Sequence, residues 1–199
     1  MSSTAVVDAL GRRGAITSSI RRLTGEHLAG PAVTAACGEQ SVAGMFRALQ
    51  TAGEGDVLCV AGGGGECAYL GDLAGAEAVR RRLAGVVVDG LVRDVDGLAR
   101  LGLTVFARGT VAIGGVPRGP GAAGVPVEIG GQPVRPGDWV VGDADGVVVV
   151  PAEDAEAALA LAEAAAAADE EIQARIAAGA SLFDLDYRGR GALRTQLDA

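Results

Sequence analysis

The chain of 199 residues contains no lysine; all 17 of its basic residues are arginine. That excludes Schiff-base catalysis and pyridoxal phosphate attachment, both of which need a lysine amine. It also excludes the lysine-bearing phosphate loop of the common nucleotide hydrolases. Histidine is nearly absent. The single one, His27, sits between Glu26 and Leu28 and reads as a surface or capped residue; a multi-histidine zinc site is excluded. The three cysteines, Cys37, Cys59 and Cys67, form no CxxC pair, and an odd count argues against a disulfide framework. Cys59, inside the apolar run DVLCVA, reads as a buried small hydrophobe. Cys67 borders a glycine-rich loop, and inert packing is its simpler reading.

No apolar run reaches membrane-spanning length and no charged segment followed by an apolar one opens the chain, so the expectation is a soluble, cytoplasmic protein with no membrane partner. A net charge of −8 with no basic block leaves no electrostatic footprint for nucleic acid. The densest basic run, RRR at 80–82, falls in a helical pattern and reads as a solvated face. Aromatic residues number only six, while 49% of the chain is apolar, so the core is built from Val, Leu and Ala, with 32 glycines for tight turns. That much apolar surface offsets chain entropy, and the length suits one sizeable core.

Strand and helix patterns alternate from residue 56 to 107, the mark of a parallel sheet in an α/β layer. DVLCVAGGGG reads as a strand running into a turn, AGAEAVRRRLAG as a helix and VVVDG as a strand. RDVDGLARLG then reads as a helix and LTVFARG as a strand. Before them come a short helix in STAVVDALGRRG, a strand in PAVTAACG and a helix in VAGMFRALQTAGEGD that ends at Gly53 or Gly55. After them, residues 109–137 read as a loop and an antiparallel hairpin, and DWVVGDADGVVVVP as two β runs about a turn holding Asp143 and Asp145. Residues 152–178 form one long Ala- and Glu-rich helix. The tail carries too little apolar material to fold alone. The expected division is an α/β catalytic domain at 1–151, with a helix and tail at 152–199 packed on the same or a neighbouring subunit.

Ligands of open α/β sheets bind outside the carboxyl ends of the strands. Three segments leave strands there: Gly62–Gly65, the Asp89-Gly90 exit leading to Arg93-Asp94, and Arg108-Gly109. The run Gly71–Ala74 opens a helix, and its free amides make an anion site. An arginine nearby would grip a carboxylate with its fork, and two aspartates on one pocket would hold a hard cation partly through water. Together these describe a site for a small oxo-acid and a divalent metal. The plainer alternative is that Asp72, Arg93 and Asp94 are helix caps and a surface ion pair. Gly62–Gly65 reads equally as a flexible exit or as a wall close to a ligand. Asp89 reads as a further site wall or, more simply, as a strand-end turn, and Arg108 as a residue open to either a pocket-mouth or a surface place.

The segments GGGGECAYLGDLAG, VVVDGLVRDVDGLARLGLTVFARG and VRPGDWVVGDADGVVVVP strongly resemble the family of 4-hydroxy-4-methyl-2-oxoglutarate aldolase. That family also holds the regulator of ribonuclease activity A. The resemblance covers residues 3–151, and its specific element is an acidic residue followed, after twenty others, by Arg-Asp: here Asp72, Arg93 and Asp94. It implies an α/β, ββα-layered swivelling-type domain, assembled as a homotrimer or hexamer with sites between subunits. The implied activity is that of a metal-dependent class II pyruvate aldolase acting on a small 2-oxo acid, with oxaloacetate decarboxylation through the same enolate. By that resemblance Asp94 binds Mg²⁺ or Mn²⁺ and Arg93 contacts the substrate carboxylate and oxo group. The amides of Gly71, Asp72, Leu73 and Ala74 hold the pyruvyl carboxylate, and Asp72 holds a metal-bound water that acts as base. The absence of lysine agrees, since an aldolase without a Schiff base needs another electron sink. The other function the family offers is a non-catalytic regulator that binds an endoribonuclease.

One position departs from the pattern. Three residues after the metal-binding Asp the aldolases carry an acid, whereas this chain has Gly97, with Asp96 one place earlier. A one-residue shift on a helix turns a side chain by about 100°, so Asp96 is no automatic substitute. Water, or a carboxylate from another subunit such as Glu170 or Glu171, is left to complete the shell.

Overall fold

The computed structural model describes residues 1–184; the tail beyond them lies outside the described residues. Ten strands and five α-helices follow one another as α1 (Ser3–Ala9), β1 (Arg21–Thr24), β2 (Leu28–Cys37), α2 (Ala43–Thr51), β3 (Val57–Ala61), α3 (Asp72–Arg80), β4 (Gly85–Val92), α4 (Val95–Arg100), β5 (Val105–Thr110), β6 (Gly121–Ala123), β7 (Val127–Ile129), β8 (Gln132–Val134), β9 (Trp139–Gly142), β10 (Val147–Val150) and α5 (Ala155–Ala177).

The main sheet runs β1-β5-β4-β3-β2-β9-β10, with β6 added along the end of β2. Strands β2 to β5 pair in parallel, as their crossover helices require, while β1, β6, β9 and β10 join antiparallel. β2 serves both halves: Leu28–Pro31 pair with β9 and Ala32–Ala36 with β3. The parallel strands read as continuous apolar runs because both faces are covered. On one face Leu58, Val60, Val86, Val88 and Val105 pack under α2, α3 and α4 with Leu49, Ala78 and Leu98. On the other, Val57, Val87 and Phe106 pack with Ile16, Ile20 and the β7–β8 hairpin through Ile129 and Val134. Each fully buried aliphatic here contributes about 1.5–3 kcal/mol relative to exposure.

Helix α1 is capped by Ser2, whose hydroxyl accepts from Ala5 N at 3.2 Å. It shares a third cluster with Val141, Val148 and Val150 of the far strands and with Ala158 and Ala162 of α5. The first half of α5 therefore packs on its own chain, and small alanines let it come close. Asp143 is buried at this end and ties the start of α1: its carboxylate accepts from Ser3 N and Ser3 Oγ, both at 2.7 Å, and from Asp145 N at 3.0 Å. The turn reading of Asp143 thus gains a structural duty. Two boundaries move: α2 stops at Thr51, ahead of the glycines, and α3 already begins at Asp72.

Candidate active site

Helix α3 follows β3 after the loop of residues 62–71 and α4 follows β4 almost directly, and the two helix N-termini meet at Asp72 and Gly97. Residues 68–70 cross between them as a short rib. Ala68 N donates to Ile113 O (2.8 Å), Gly115 N to Ala68 O (3.0 Å), Tyr69 N to Leu91 O (2.8 Å) and Arg93 N to Leu70 O (2.9 Å). The rib thus binds the end of β4 on one side and residues 113–115 on the other.

Three glycines mark where the site is tightest. A Cβ on Gly71 would stand 2.8 Å from Asp94 Oδ2 and 3.1 Å from Arg93 Nε, so the N-cap of α3 touches both side chains. A Cβ on Gly114 would stand 2.5 Å from an Arg93 terminal nitrogen and 3.0 Å from its Cζ, so the guanidinium lies on the Gly114 backbone. A Cβ on Gly97 would stand 2.9 Å from Asp72 Cβ and 3.2 Å from its Oδ2, so Asp72 sits on the first turn of α4. Arg93, Asp94, Asp72 and Gly71 are therefore brought to one crevice. Arg93 Nε lies 3.2 Å from Asp94 Oδ2, and the two side chains are 44% and 39% exposed, so both remain open to a ligand.

Asp94 is the N-cap of α4 with φ +57°, in the left-handed region, and makes no side-chain capping bond. Asp is among the few non-glycine residues enriched there, at a cost of order 1–2 kcal/mol. The Asp94 carboxylate thus leaves the α4 amides untouched and lies beside Arg93 and Gly71. In α3 the first amide bonded within the helix is that of Gly75, to Gly71 O at 2.9 Å, so the amides of Asp72, Leu73 and Ala74 stand outside the helical ladder. Ala74 is buried, whereas Leu73 is 84% exposed, and Ile113 beside Gly114 is 63% exposed.

The donor set suits a hard cation. Among the described residues Asp72 has no side-chain partner and Asp94 has only Arg93, so carboxylate oxygens are free. No group of three or more His, Cys, Asp or Glu is spaced to hold a metal among the described residues, so water would fill most of the shell, as Mg²⁺ prefers. Asp96 is exposed, and α5, which carries Glu170 and Glu171, packs on α1 at the other end of the sheet.

Two other sequence candidates go elsewhere. Asp89 lies inside β4, not in a turn, and accepts from Gly130 N at 2.6 Å and from Arg108. Arg108, also bonded to Ser19 Oγ at 2.7 Å, is thereby a strut to the hairpin side of the sheet rather than part of a pocket mouth. The glycine loop is a correction of a different kind. Cβ atoms on Gly63 and Gly65 would stand 2.1 Å from Gly38 C and 1.7 Å from Glu39 O, so these glycines admit the chain's own backbone. A cleft of about 190 Å³, lined by Leu10, Arg13, Arg135 and Asp138 among others, is separate from the Arg93 crevice. Sequence reasoning missed Gly114 and Tyr69; a glycine in a glycine-rich stretch and a tyrosine in a loop gave no signal of their places.

The family described as RraA-like, Aldolase/RraA, matches residues 3–149. The chain belongs to the RraA-like family. A relative from Halalkalibacterium halodurans, provisionally named 4-hydroxy-4-methyl-2-oxoglutarate aldolase, is 36% identical over 171 residues, 84% of this chain and 81% of its own. Among solved structures, Streptomyces coelicolor RraAS2, described as an unusual member of the RNase ES inhibitor RraA family, is 31% identical with a TM-score of 0.73. That match covers 90% of this chain and 92% of the other. The RNA-processing inhibitor RraA from Thermus thermophilis is 29% identical with a TM-score of 0.70, over 76% of this chain and 93% of its own. The layered α/β sheet with a long C-terminal helix is thus the RraA-like fold.

Proposed function

We propose that this protein is a carbon–carbon lyase of the RraA-like family. It would cleave 4-hydroxy-2-oxo acids, such as 4-hydroxy-4-methyl-2-oxoglutarate, to pyruvate with a divalent metal, Mg²⁺ or Mn²⁺, as cofactor. The observation that supports the reading is the contact of Gly71, the residue before the α3 amides, with both Arg93 and Asp94.

The substrate carboxylate binds the amides of Asp72, Leu73 and Ala74, where the positive end of α3 favours an anion. Arg93, held flat on Gly114, presents its fork to the carboxylate and 2-oxo oxygen. Asp94, with Asp72 acting through water, would hold the metal, which supplies Lewis-acid polarisation of the 2-oxo group when bound. Asp72 receives the proton of the 4-hydroxyl, directly or through a water. As that proton leaves, the C3–C4 bond breaks and its electron pair moves toward the 2-oxo oxygen. Arg93 faces the developing enolate charge. Protonation at C3 completes pyruvate. Oxaloacetate would lose carbon dioxide through the same enolate, with no proton to remove at C4.

A homotrimer or hexamer is part of the proposal. Leu73 and Ile113, both large and both solvent-facing in the single chain, border the crevice and suit burial against another copy. No helix among the described residues is long and apolar enough to cross a membrane, and the three cysteines are free, which fits a reducing cytoplasm. The second reading, a protein-binding regulator of an endoribonuclease, draws on the two RraA structures above. The retention of Asp72, Arg93 and Asp94 together favours the lyase. Pyruvate release from both substrates, with metal and then with chelator, tests the proposal; release equal to that of an Asp94 variant would refute it.

A further inference from the structure

Tyr69 is the middle residue of the rib beside this crevice. It is 1% exposed, and its ring fills the gap between the exits of β3 and β4. A Cβ on Gly62 would stand 2.8 Å from Tyr69 Cε2, and one on Gly90 2.7 Å from Cδ2. Its hydroxyl accepts from Gly63 N at 2.9 Å and from Gly65 N at 3.3 Å, and donates to Glu39 O at 2.8 Å. One buried oxygen thus joins the glycine loop after β3 to the turn after β2. Burial pushes the phenol above its ordinary value, so it stays protonated and keeps donating to Glu39. Phenylalanine would fill nearly the same volume but would take the hydroxyl acceptor from the amides of Gly63 and Gly65.

The backbone of Tyr69 is the middle of the rib. Its amide is held by Leu91 O, its neighbour Leu70 accepts from Arg93 N, and its neighbour Ala68 is bridged to Ile113 and Gly115. Two residues on is Gly71, against which Arg93 and Asp94 rest. Whatever fixes the rib therefore fixes the α3 amides, the Arg93 backbone and the Gly114 wall relative to one another.

We infer that Tyr69 is a positioning residue: its hydroxyl locks the glycine loop and the Gly38–Glu39 turn around the rib, and so sets the spacing of the Gly71–Ala74 amides from the Arg93 guanidinium. The inference rests on the reading of those groups as the carboxylate site. Tyr69 touches no substrate in this account and acts only through the rib.

The test is Tyr69→Phe in the full chain, read by kcat and KM for 4-hydroxy-4-methyl-2-oxoglutarate, by calorimetric affinity for oxalate, a planar mimic of the enolate, and by amide exchange at residues 62–66. The expected result is a rise of about tenfold or more in KM and in oxalate dissociation constant, by similar factors, with kcat changed less than about threefold and faster exchange at Gly63 and Gly65. 4-Aminophenylalanine at position 69 keeps the size and a donor for Glu39 O but accepts poorly; it gives an intermediate loss, and it serves if the Phe variant does not fold. Unchanged KM and oxalate affinity alongside faster exchange would overturn the inference, leaving Tyr69 a loop anchor only. If the wild type released no pyruvate but bound oxalate, the lyase reading would fail while weaker oxalate binding by Tyr69→Phe still supported the inference. A wild type that neither turned over nor bound oxalate would overturn both.

Discussion

The side chain of Asp72 occupies the place where a side chain on residue 97 would begin: its Cβ lies 2.9 Å from the position of a Cβ on Gly97. The glycine that departs from the family's acidic pattern is therefore matched to Asp72. An acid at 97 would have to displace Asp72 or share its space. Gly97 thereby allows close packing of the two helix N-termini.

Gly97→Ala is accordingly expected to push Asp72 aside. Overpacking of this kind costs about 1–3 kcal/mol, visible as a lower melting temperature. Because the proposed mechanism makes Asp72 the proton acceptor, kcat should fall by about tenfold or more. Full activity in Gly97→Ala would show that the position of Asp72 is not critical.

Asp94→Asn keeps the shape of the side chain and tolerates the left-handed backbone, which Ala does not. It removes the charge. The expected outcome is loss of metal-dependent turnover, with the melting temperature held within a few degrees, because a half-exposed side chain with one ion pair contributes about 0–1 kcal/mol. Turnover near the wild-type rate would place the metal elsewhere.

Arg93→Lys keeps the charge but loses the planar fork that lies on Gly114. A rise in KM together with a fall in kcat is expected, since in the proposed mechanism the same group binds the carboxylate and faces the enolate. Steady-state kinetics at saturating metal separates the two.

The far end of the molecule provides a pH dependence that does not involve the site. Burial alone would raise the Asp143 carboxyl, but hydrogen bonds from the hydroxyl and amide of Ser3 and the amide of Asp145 outweigh it and hold the group below its ordinary value. A lowered folded pKa means stability that is present above the unfolded value of about 3.9 and lost as pH falls through the folded one. Ser3→Ala should cost about 1–3 kcal/mol near neutral pH, and melting curves should show that difference shrinking as pH drops below about 4. A constant difference across that range would mean that the carboxylate charge is not what Ser3 serves.

The alternation of apolar strands and amphipathic helices between residues 56 and 107 was legible because each segment is long enough to show its period, and the crossover rule then gave parallel pairing. The antiparallel β9–β10 pair was legible for the same reason. β1 was not: RRLT has no apolar alternation, and it is a strand because β5 offers an edge. The double role of β2 depends on partners from both halves of the chain. Within the site, Asp72, Arg93 and Asp94 stood out by family spacing, and Gly71–Ala74 by their place at a helix start. The left-handed Asp94, the Gly114 floor under Arg93 and the Tyr69 hydroxyl are products of tertiary contact, which leave no period or spacing in the sequence. The glycine-rich loop misled for a related reason. Glycine announces close approach but not what approaches, and here it is the Gly38–Glu39 turn.

Pyruvate release from 4-hydroxy-4-methyl-2-oxoglutarate and from oxaloacetate, measured with Mg²⁺ or Mn²⁺, then with a chelator, and beside Asp94→Asn, tests the central claim most directly. The variant is needed because free metal decarboxylates oxaloacetate unaided. The account predicts release that the chelator abolishes and the variant lacks. Release no greater than that of the variant, with either metal and either substrate, would contradict it and turn attention to a protein partner.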